Sequence, residues 1–499
     1  MQSMDLIRKN EMKRIDEYTS LNITPAIDLM EIAGKMMADV VIKNYNPKRV
    51  LLLCGASGNG GDAFVCGRYL INNGVTCDAY LASNKFNREC QINYDLFKGN
   101  VFNELPNLNC EDKYDLIIDG LIGIGLNRNL DDKYIYAINI VNSSNINVVS
   151  LDIPTGINAD NGLSMGGYIK CDMCISVEYH KCGLFLNDGL DSYKMLELIN
   201  IGMIKPTSLV HLIDIFEFKN IYPKRLRNTN KGSYNKAYVI AGSYKYPGAS
   251  LISYTALASL KMGVGYQGLA VPDVLYNAYA LVNPSLMIKS LSSIDGHIKY
   301  CEDELKSLLK NEAISIGMGM DISIDLYKTI CYLLTNYQGI LIIDADAINS
   351  LAMYGKDVLK IKKCDVIITP HIKEFSRLTG IDKDLIVSNP IDYAYDFSKK
   401  YNVCLILKSA TSIITNGDKL CISAFGNTSL AKGGSGDMLS GILAGVCAYL
   451  DASLYTKACL SAFILGYASE CACRSIAAEC VTYKDICDNL NNAILKVKE

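Results

Sequence analysis

The stretch AKGGSGDMLSGILAG, residues 431–445, carries the clearest fold signal in the chain. Glycines and a serine lie just before Asp437, and apolar residues follow at the spacing of a helix. The free N–H groups at the start of a helix bind anions, and glycine lets the backbone approach a phosphate closely. An aspartate in a first helical turn also stabilises a helix by itself. The stretch alone therefore fits both a phosphate site and an ordinary helix start.

Signals at other predicted strand ends favour the phosphate site. The C-terminal half contains the strand-like segments KAYVIAGS (236–243), EAISIGMG (312–319), GILIIDADAIN (339–349), CDVIITPH (364–371) and VCLILKSAT (403–411). At or just after their ends lie the polar residues Asp344, Asp346, His371, Glu374, Lys408, Thr411 and Ser412. Because parallel strands end at one edge of a sheet, these residues predict a site for phosphoryl chemistry in which Asp437 deprotonates a hydroxyl.

The N-terminal half has its own glycine-rich turns after strands. The segments RVLLLCG (49–55), YDLIIDGLIG (114–123) and INVVSLDIPTG (146–156) are strand-like, and DAFVCGRYLINNG (62–74) has helical spacing. CGASGNGGDAFVCGRYL (54–70) follows a strand and opens a helix, as a dinucleotide-phosphate loop does. Oxygen atoms at these strand ends can hold a monovalent cation, although Asp119 and Asp152 are also typical of turn capping.

The two halves predict an α/β chain with two domains. The polar, lysine-rich passage DIFEFKNIYPKRLRNTNKG (214–232) separates them, and we place the boundary near residues 205–225. The net charge of −3, with lysines spread along the chain, argues against a nucleic-acid partner. No apolar run has the roughly 18 residues of a membrane span, and the charged start MQSMDLIRKNEMKRIDEY predicts no secretory signal. We therefore expect a cytoplasmic protein.

The cysteines predict buried, reduced thiols. Nineteen cysteines in an intracellular chain of this size are more typical of free thiols than of a disulfide framework. Cys171, Cys174, His180 and Cys182 have a spacing close to that of zinc ligands. However, strand alternation separates Cys171 from Cys174 and His180, so we do not predict a zinc site.

The C-terminal motifs resemble a known family. KGSYNKAYVIAGSYKYPGAS, DADAIN, TPHIKEFSRLTG, LKSAT and GNTSLAKGGSGDMLSG occur in the order found in ribokinase-like NAD(P)H-hydrate dehydratases, over about residues 225–495. The resemblance implies ADP- or ATP-dependent dehydration, with Mg²⁺, of the (S)-hydrate of NADH or NADPH. A nucleotide phosphate would activate the hydroxyl at C6.

The same resemblance implies residue roles. Asp437 would be the catalytic base and would contact the hydrate. The anion hole would be formed by Gly433, Gly434 and Gly436, the adenine nucleotide would meet Lys408, Ser409, Ala410, Thr411 and Ser412, and the hydrated dinucleotide would touch Ala249, Gly319 and His371.

The chain departs from the family pattern at several positions. Methionines, Met318 and Met320, flank Gly319, Ser409 stands where glycine is usual, and Ser285 stands where glutamate is common. Lys432 replaces a small polar residue before the anion loop. It predicts either attraction for a nucleotide phosphate or a solvated surface lysine.

Residues 1–210 resemble the YjeF N-terminal fold of NAD(P)H-hydrate epimerases, and LMEIAG near residue 30 fits as well. The resemblance implies that the hydrated dinucleotide is held by Gly58, Asn59, Gly60, Gly61 and Asp62 and by Gly123, Ile124, Gly125, Leu126, Asn127, Arg128 and Asn129. Asn59, Asp119 and Thr155 would coordinate potassium. Asp152 would contact the reacting hydrate, with Lys181 as its acid–base partner. Gly58 replaces a common asparagine, and Thr155 replaces serine but keeps the hydroxyl.

The combined prediction is a bifunctional repair enzyme of nicotinamide nucleotides. We expect a Rossmann-like three-layer αβα epimerase domain at residues 1–215 and a ribokinase-like αβα dehydratase domain at residues 222–499. The epimerase would supply the (S)-hydrate, and dehydration with ADP would release AMP and phosphate. We also expect a homo-oligomer. Two alternatives stay open: a small-molecule kinase of the pyridoxal or hydroxymethylpyrimidine type fused to a non-catalytic nucleotide-binding domain, and a non-catalytic scaffold such as that of some RNA-decapping proteins.

Overall fold

The computed structural model describes residues 5–108, 114–207, 210–258, 262–282 and 286–499, so Ser285 lies outside the described residues. The chain divides into two compact units, Met1–Val210 and His211–Glu499. The prediction of a two-domain α/β chain is confirmed. The exact bounds 1–215 and 222–499 stay predictions.

The N-terminal unit is built on a parallel sheet. Its strands and its helices are β1 (Leu6–Ile7), β2 (Arg49–Cys54), β3 (Thr76–Leu81), β4 (Asn100–Phe102), β5 (Leu116–Gly120), β6 (Asn147–Leu151), β7 (Cys171–Val177), β8 (His180–Lys181), β9 (Tyr193–Ile199), α1 (Lys9–Asn22), α2 (Ala26–Tyr45), α3 (Gly58–Asn72), α4 (Arg88–Leu96) and α5 (Asp132–Ser143). In the described residues the sheet has the order β4-β3-β2-β5-β6-β7-β9, and every pair is parallel. Separately, β1 pairs in parallel with β8.

Burial on both faces explains the apolar strands of this sheet. Val50 and Leu52 of β2 belong to a core with residues of α2 and α3, and the intervening Leu51 and Leu53 are fully buried as well. A parallel sheet that is covered on both faces needs such continuous apolar strands. The polar side chains are therefore left to the strand ends, where a ligand site forms.

The C-terminal unit contains a larger mixed sheet. Its strands are β10 (Val210–Leu212), β11 (Lys236–Ile240), β12 (Tyr266–Pro272), β13 (Ile288–Leu291), β14 (Ser293–Ile294), β15 (His297–Ile298), β16 (Ala313–Ile316), β17 (Ile340–Ile343), β18 (Asp365–Ile368), β19 (Cys404–Leu407), β20 (Ser412–Thr415) and β21 (Leu420–Ser423). The order in the described residues is β10-β21-β20-β19-β18-β17-β16-β11-β12-β13, and β14 pairs with β15 outside it. The pairs from β13 to β19 are parallel, whereas β20 is antiparallel to both of its neighbours.

Helices cover this second sheet. They are α6 (Pro247–Ala258), α7 (Tyr276–Ala280), α8 (Glu302–Lys306), α9 (Ile324–Asn336), α10 (Ala345–Tyr354), α11 (Ile372–Thr379), α12 (Lys383–Ser388), α13 (Pro390–Tyr401), α14 (Ser435–Tyr449), α15 (Leu454–Cys473) and α16 (Tyr483–Lys498). Ile342 of β17 packs in one core with residues of α14 and α15, while its neighbours Leu341 and Ile343 are fully buried too. The start of α14 is thereby fixed near the carboxyl ends of the parallel strands.

Two further observations concern chain-wide properties. Among the described residues, no helix combines the length and the apolar character that a membrane crossing requires. Every cysteine in the described part of the chain is a free thiol, and most are buried.

Candidate active sites

A cavity of about 370 Å³ lies at the carboxyl edge of the N-terminal sheet. The start of α3 contributes Gly58, Asn59 and Asp62, the turn after β5 contributes residues 123–125, and the end of β6 contributes Asp152. These are the turns that the sequence predicted to hold a hydrated dinucleotide. A cavity at the strand ends is where open α/β sheets bind ligands.

Close packing explains the glycines of the first turn. A Cβ atom at Gly60 would lie only 2.1 Å from the backbone oxygen of Gly55. Only glycine therefore lets α3 begin directly after β2, with its free N–H groups at the cavity.

Asp152 and Lys181 form a buried ion pair at this cavity. The Lys181 ammonium is fully buried, donates to Asp152 Oδ1, and also donates to the carbonyl oxygen of Val177 at 3.1 Å. The backbone N–H of Val177 donates to the same Asp152 oxygen at 3.2 Å. Asp152 has a φ of 67°, a conformation that a non-glycine residue seldom adopts. The carboxylate is thus held in one position at the cavity wall.

The three predicted potassium ligands also lie together. The Thr155 hydroxyl donates to Asp119 Oδ1 at 2.6 Å, and the Thr155 N–H donates to Oδ2 at 2.9 Å. Ser150 donates to Asp119 Oδ2 at 2.8 Å. A Cβ atom at Gly123 would lie 3.4 Å from Asn59 Oδ1, so the Asn59 amide borders the same turn. Its Nδ2 atom is buried and has no hydrogen-bond partner among the described residues.

In the C-terminal unit, Lys408 and Asp344 form the centre of the predicted site. Lys408 follows β19 and donates to Asp344 Oδ1 at 2.7 Å. The Ser440 hydroxyl of α14 donates to Asp344 Oδ2 at 2.7 Å. Asp344 is nearly fully buried, so these two contacts keep its charge compensated.

The glycine-rich loop brings Asp437 to this centre. Gly434 precedes α14 with a φ of 97°, which favours glycine, and a Cβ atom at Gly436 would lie 3.2 Å from Lys408 Nζ. Asp437 follows in the first turn of the helix. Burial raises the pKa of Asp437 to about 7, the charge of Asp344 adds to the rise, and Lys408 opposes it. A carboxyl group with this pKa is suited to accepting a proton near neutral pH.

The other predicted contacts lie nearby. His371 caps α11 and exchanges hydrogen bonds with Glu374. Its backbone forms an isolated parallel β-bridge with that of Lys408, which follows the neighbouring strand. Burial lowers the pKa of His371, and Lys408 adds to this effect. A Cβ atom at Gly319 would lie 2.8 Å from that of Ala249, so these two predicted contacts are neighbours.

Known proteins resemble this chain in both halves. A model of the YjeF-related protein N-terminus matches residues 26–183, and a model described as NAD(P)H-hydrate dehydratase matches residues 237–492. A bifunctional NAD(P)H-hydrate repair enzyme of Dictyoglomus turgidum is 30% identical over 491 residues, which cover 93% of each chain. The chain belongs to the family of bifunctional NAD(P)H-hydrate repair enzymes. A relative with the same name from Moorella thermoacetica is 27% identical over 527 residues, covering 99% of this chain and 98% of the relative.

Solved structures confirm the predicted fold of the C-terminal unit. A hypothetical protein of Streptococcus mutans matches with a TM-score of 0.50 and 24% identity, covering 58% of this chain and all (100%) of that chain. A ribokinase-like superfamily protein of Enterococcus faecalis matches with a TM-score of 0.50 and 20% identity, covering 58% and 97%. Together with the family, they confirm the prediction of a two-domain repair enzyme whose C-terminal unit is ribokinase-like.

Some residues predicted for the NAD(P)H-hydrate repair site lie away from the centres just described. Residues 126–129 do not line the N-terminal cavity, and within them the Arg128 side chain points toward Asp131 at 3.8 Å. In the C-terminal unit, Ser409 and Ala410 are exposed. Lys432 is exposed as well, yet its Nζ atom donates to three backbone carbonyls of residues 478–481. These residue roles stay predictions.

The structure also adds residues that the family motifs did not reveal. Ser440 was missed, although it lies three residues after Asp437 and therefore on the same face of α14. Asp16 of α1 was missed as well, and it lines the N-terminal cavity together with Met12 and Lys13. In the sequence, the only signal was a charged residue on an otherwise amphipathic helix near the start of the chain.

Proposed function

We propose that the N-terminal half interconverts the (R)- and (S)-hydrates of NADH and NADPH, and that the C-terminal half dehydrates the (S)-hydrate. The co-substrate is ADP or ATP with Mg²⁺, and ADP yields AMP and phosphate. The observation that carries the proposal is Asp437, a buried carboxyl group with a pKa of about 7 in the first turn of a helix that starts with an anion-binding loop. The cytoplasmic location and the homo-oligomer stay predictions.

In the dehydration, Asp437 accepts the proton of the C6 hydroxyl, whose oxygen then forms a bond to the terminal phosphorus of the nucleotide. The bond between that phosphorus and the bridging oxygen breaks, and AMP leaves when the nucleotide is ADP. The C6–O bond then breaks with its electron pair on phosphate, and loss of a proton from C5 restores the C5–C6 double bond. Gly433, Gly434 and Gly436 supply backbone N–H groups for the phosphate, and Lys408 holds positive charge beside it.

In the N-terminal half, we assign Asn59, Asp119 and Thr155 to a potassium ion. The set fits a hard monovalent cation, because it offers one carboxylate and neutral oxygens in a buried turn. The buried Asn59 Nδ2 atom, which has no hydrogen-bond partner among the described residues, fits as well. Turning the amide by 180° would exchange this nitrogen for the amide oxygen, which can bind a cation. Bound potassium would balance the buried charge of Asp119 and fix the turns that hold the substrate.

The test follows the recovery of NADH absorbance from a mixed-epimer NADH-hydrate preparation with ADP, magnesium and potassium. Complete recovery with release of phosphate is expected, because epimerisation feeds the dehydratase. Recovery that stops at the (S) fraction would remove the epimerase from the proposal. A stable phosphoester without NADH would instead show a small-molecule kinase.

The Asp437→Asn variant is expected to lower kcat/KM of dehydration by about 10²–10⁴-fold, because it removes the base. In the unmodified chain, kcat/KM should rise with pH up to about 7, since only the ionised carboxylate accepts a proton. The exposed Asp451, which follows α14, provides the matched Asp451→Asn control. A variant at Asp437 that keeps full activity would contradict the assignment.

A further inference from the structure

Helix α1 brings another carboxyl group to the N-terminal cavity. Met12, Lys13 and Asp16 all line it, and they share one face because they are three and four residues apart. Residue 16 lies outside the matched N-terminal model, which begins at residue 26. The Asp16 side chain is accessible at the cavity wall and can therefore meet a ligand.

Two attachments fix α1 relative to the cavity. Strand β1, just before it, pairs with β8 so that Ile7 lies opposite Lys181. Lys9, in the first turn of α1, donates from Nζ to the carbonyl oxygens of Gly125 and Leu126, both at 3.1 Å. The helix is thus tied both to the strand that carries Lys181 and to a turn that lines the cavity.

The charges in the cavity allow one carboxyl group to stay protonated. Lys181 is already paired with Asp152. Desolvation raises the pKa of Asp16, the negative charge of Asp152 raises it further, and Lys181 opposes the rise. Burial raises the pKa of Asp62 as well. Asp152, held in its ion pair with Lys181, therefore lies in one cavity with carboxyl groups that retain their protons more readily than free aspartates do.

We propose that Asp16 is a catalytic acid of the epimerase half and acts together with Asp152 as the base. This inference rests on the proposed function of the N-terminal half. It assigns the proton donor and the proton acceptor to two different elements, α1 and the end of β6, that line the same cavity.

The C6 carbon of the hydrate carries the hydroxyl group and is bonded to the ring nitrogen N1, so it inverts by opening and closing of the ring. Asp152 accepts the hydroxyl proton, a carbonyl bond forms between C6 and its oxygen, and the C6–N1 bond breaks. The electron pair of that bond moves to N1, which takes the proton of Asp16. Rotation about the C5–C6 bond exposes the other face of the carbonyl. Closure reverses each step and returns both protons, so no atom or electron is gained or lost.

Asp16→Asn tests this role in the full chain without nucleotide, so that the dehydratase is silent and epimer ratios are followed by chromatography. The asparagine keeps the size of the side chain and cannot supply the proton, so kcat should fall by about 100-fold or more. KM for the hydrate should stay nearly constant. Asp16→Glu retains a carboxyl group and should restore part of the rate. Glu17→Gln changes the neighbouring exposed residue, which does not line the cavity, and serves as the control.

The pH profile separates an acid from a merely structural residue. Because the acid must hold its proton, kcat/KM of the unmodified chain should fall as pH rises through the raised pKa of Asp16, and Asp16→Asn should lose this limb. The charged groups that line the cavity around Asp16 or act on its charge are Lys13, Asp62, Glu89, Asp152 and Lys181. They are unchanged in the Asp16→Asn comparison.

The outcomes distinguish the inference from the function on which it rests. If the unmodified chain does not interconvert the epimers, the proposed epimerase function fails. If it does, and Asp16→Asn keeps both its rate and its alkaline limb, only the role of Asp16 is wrong. A rise in KM alone would make Asp16 a binding residue and would also overturn the proposal. Thermal unfolding of Asp16→Asn and the activity of Asp16→Glu exclude misfolding as the cause of a lost rate.

Discussion

In the N-terminal unit the proposed base, Asp152, is itself the ion-pair partner of the buried lysine. In the C-terminal unit the lysine pairs with Asp344, and the proposed base, Asp437, is a separate residue. Burial lowers the pKa of Lys408, but the negative charges around it outweigh this effect and raise it. These charges belong to Asp344, Glu374 and Asp437. Lys181 is instead held between Asp152 and a backbone carbonyl. Burial raises the pKa of Asp437 to about 7, which suits a base at neutral pH, and Lys408 only limits the rise. Burial likewise raises the pKa values of Asp16 and Asp62, and Lys181 opposes both rises.

Under the proposed function, this difference explains how one chain obtains two kinds of proton transfer from similar residues. Both sites consist of aspartates and a lysine at the carboxyl ends of parallel strands. What differs is whether the proposed base is the ion-pair partner of the lysine, as Asp152 is, or a separate residue, as Asp437 is. Pairs of titratable groups whose surroundings separate their pKa values are a recurring basis for assigning acid and base roles.

The largest expected effect comes from removing the charge of Lys408. Lys408→Met leaves the nearly buried carboxylate of Asp344 without its ion-pair partner, so the free energy of unfolding of the C-terminal unit should fall by about 3 kcal/mol. It should also raise the pKa of Asp437, because Lys408 lowers it, and move the rising limb of the dehydratase profile to higher pH. Chemical denaturation and kcat/KM against pH measure the two effects.

Lys383→Met, at an exposed position at the start of α12, is the matched control for Lys408→Met. If the pH profile keeps its midpoint while stability falls, Lys408 is structural, and the proposed influence of its charge on the separate base Asp437 is wrong.

A smaller effect is expected at the proposed potassium site. Thr155→Val removes the hydroxyl that donates to Asp119 and accepts from the Ile122 N–H at 3.0 Å, at a cost of about 1–2 kcal/mol of stability. Potassium should raise the midpoint of thermal unfolding of the unmodified chain above its value in sodium, and this difference should shrink in the variant. Thr155→Ser keeps the hydroxyl and should retain the difference. Equal midpoints in both salts for the unmodified chain would argue against a potassium site.

The sequence predicted the parts of both sites that lie at glycine-rich turns or strand ends. Asp437 and Asp152 lie at such positions, which carry local signals, whereas Lys181 was predicted from the resemblance to the epimerases. The segment DADAIN was assigned to a strand, but β17 ends at Ile343 and α10 begins at Ala345, with Asp344 at the position just before the helix. The helix buries Ala347, Ile348 and Leu351, which lie on one face. In the sequence, so short an apolar run does not distinguish a helix from a strand.

Asp16 was not predictable for a different physical reason. Its place in the cavity depends on the pairing of β1 with β8 and on the contacts of Lys9 with a distant turn. Such long-range contacts leave no period or glycine pattern near residue 16. Lys432 is similar, since the carbonyls to which it donates belong to residues 478–481. For this lysine the sequence left two interpretations open, and the structure shows a third role.

The smallest expected effect tests that role and completes the comparison of the lysines. Lys432 donates to the carbonyl oxygens of Ala478 at 3.1 Å and of Glu479 and Val481 at 2.7 Å. Glu479 and Val481 line a cavity of about 320 Å³ with Gly433 and Ser435, which belong to the proposed anion-binding loop.

Lys432→Met should therefore raise KM for the nucleotide by about fivefold through a less ordered cavity wall and leave kcat unchanged. Lys484→Met, an exposed lysine on the adjacent helix α16, is the control. If Lys432 attracts a phosphate, the rise in KM caused by Lys432→Met should be larger at low ionic strength, because salt screens exposed charges. A rise in KM that is the same at low and high salt instead supports a lysine that orders the backbone. Lys408 would then be the lysine whose charge acts on the reacting groups.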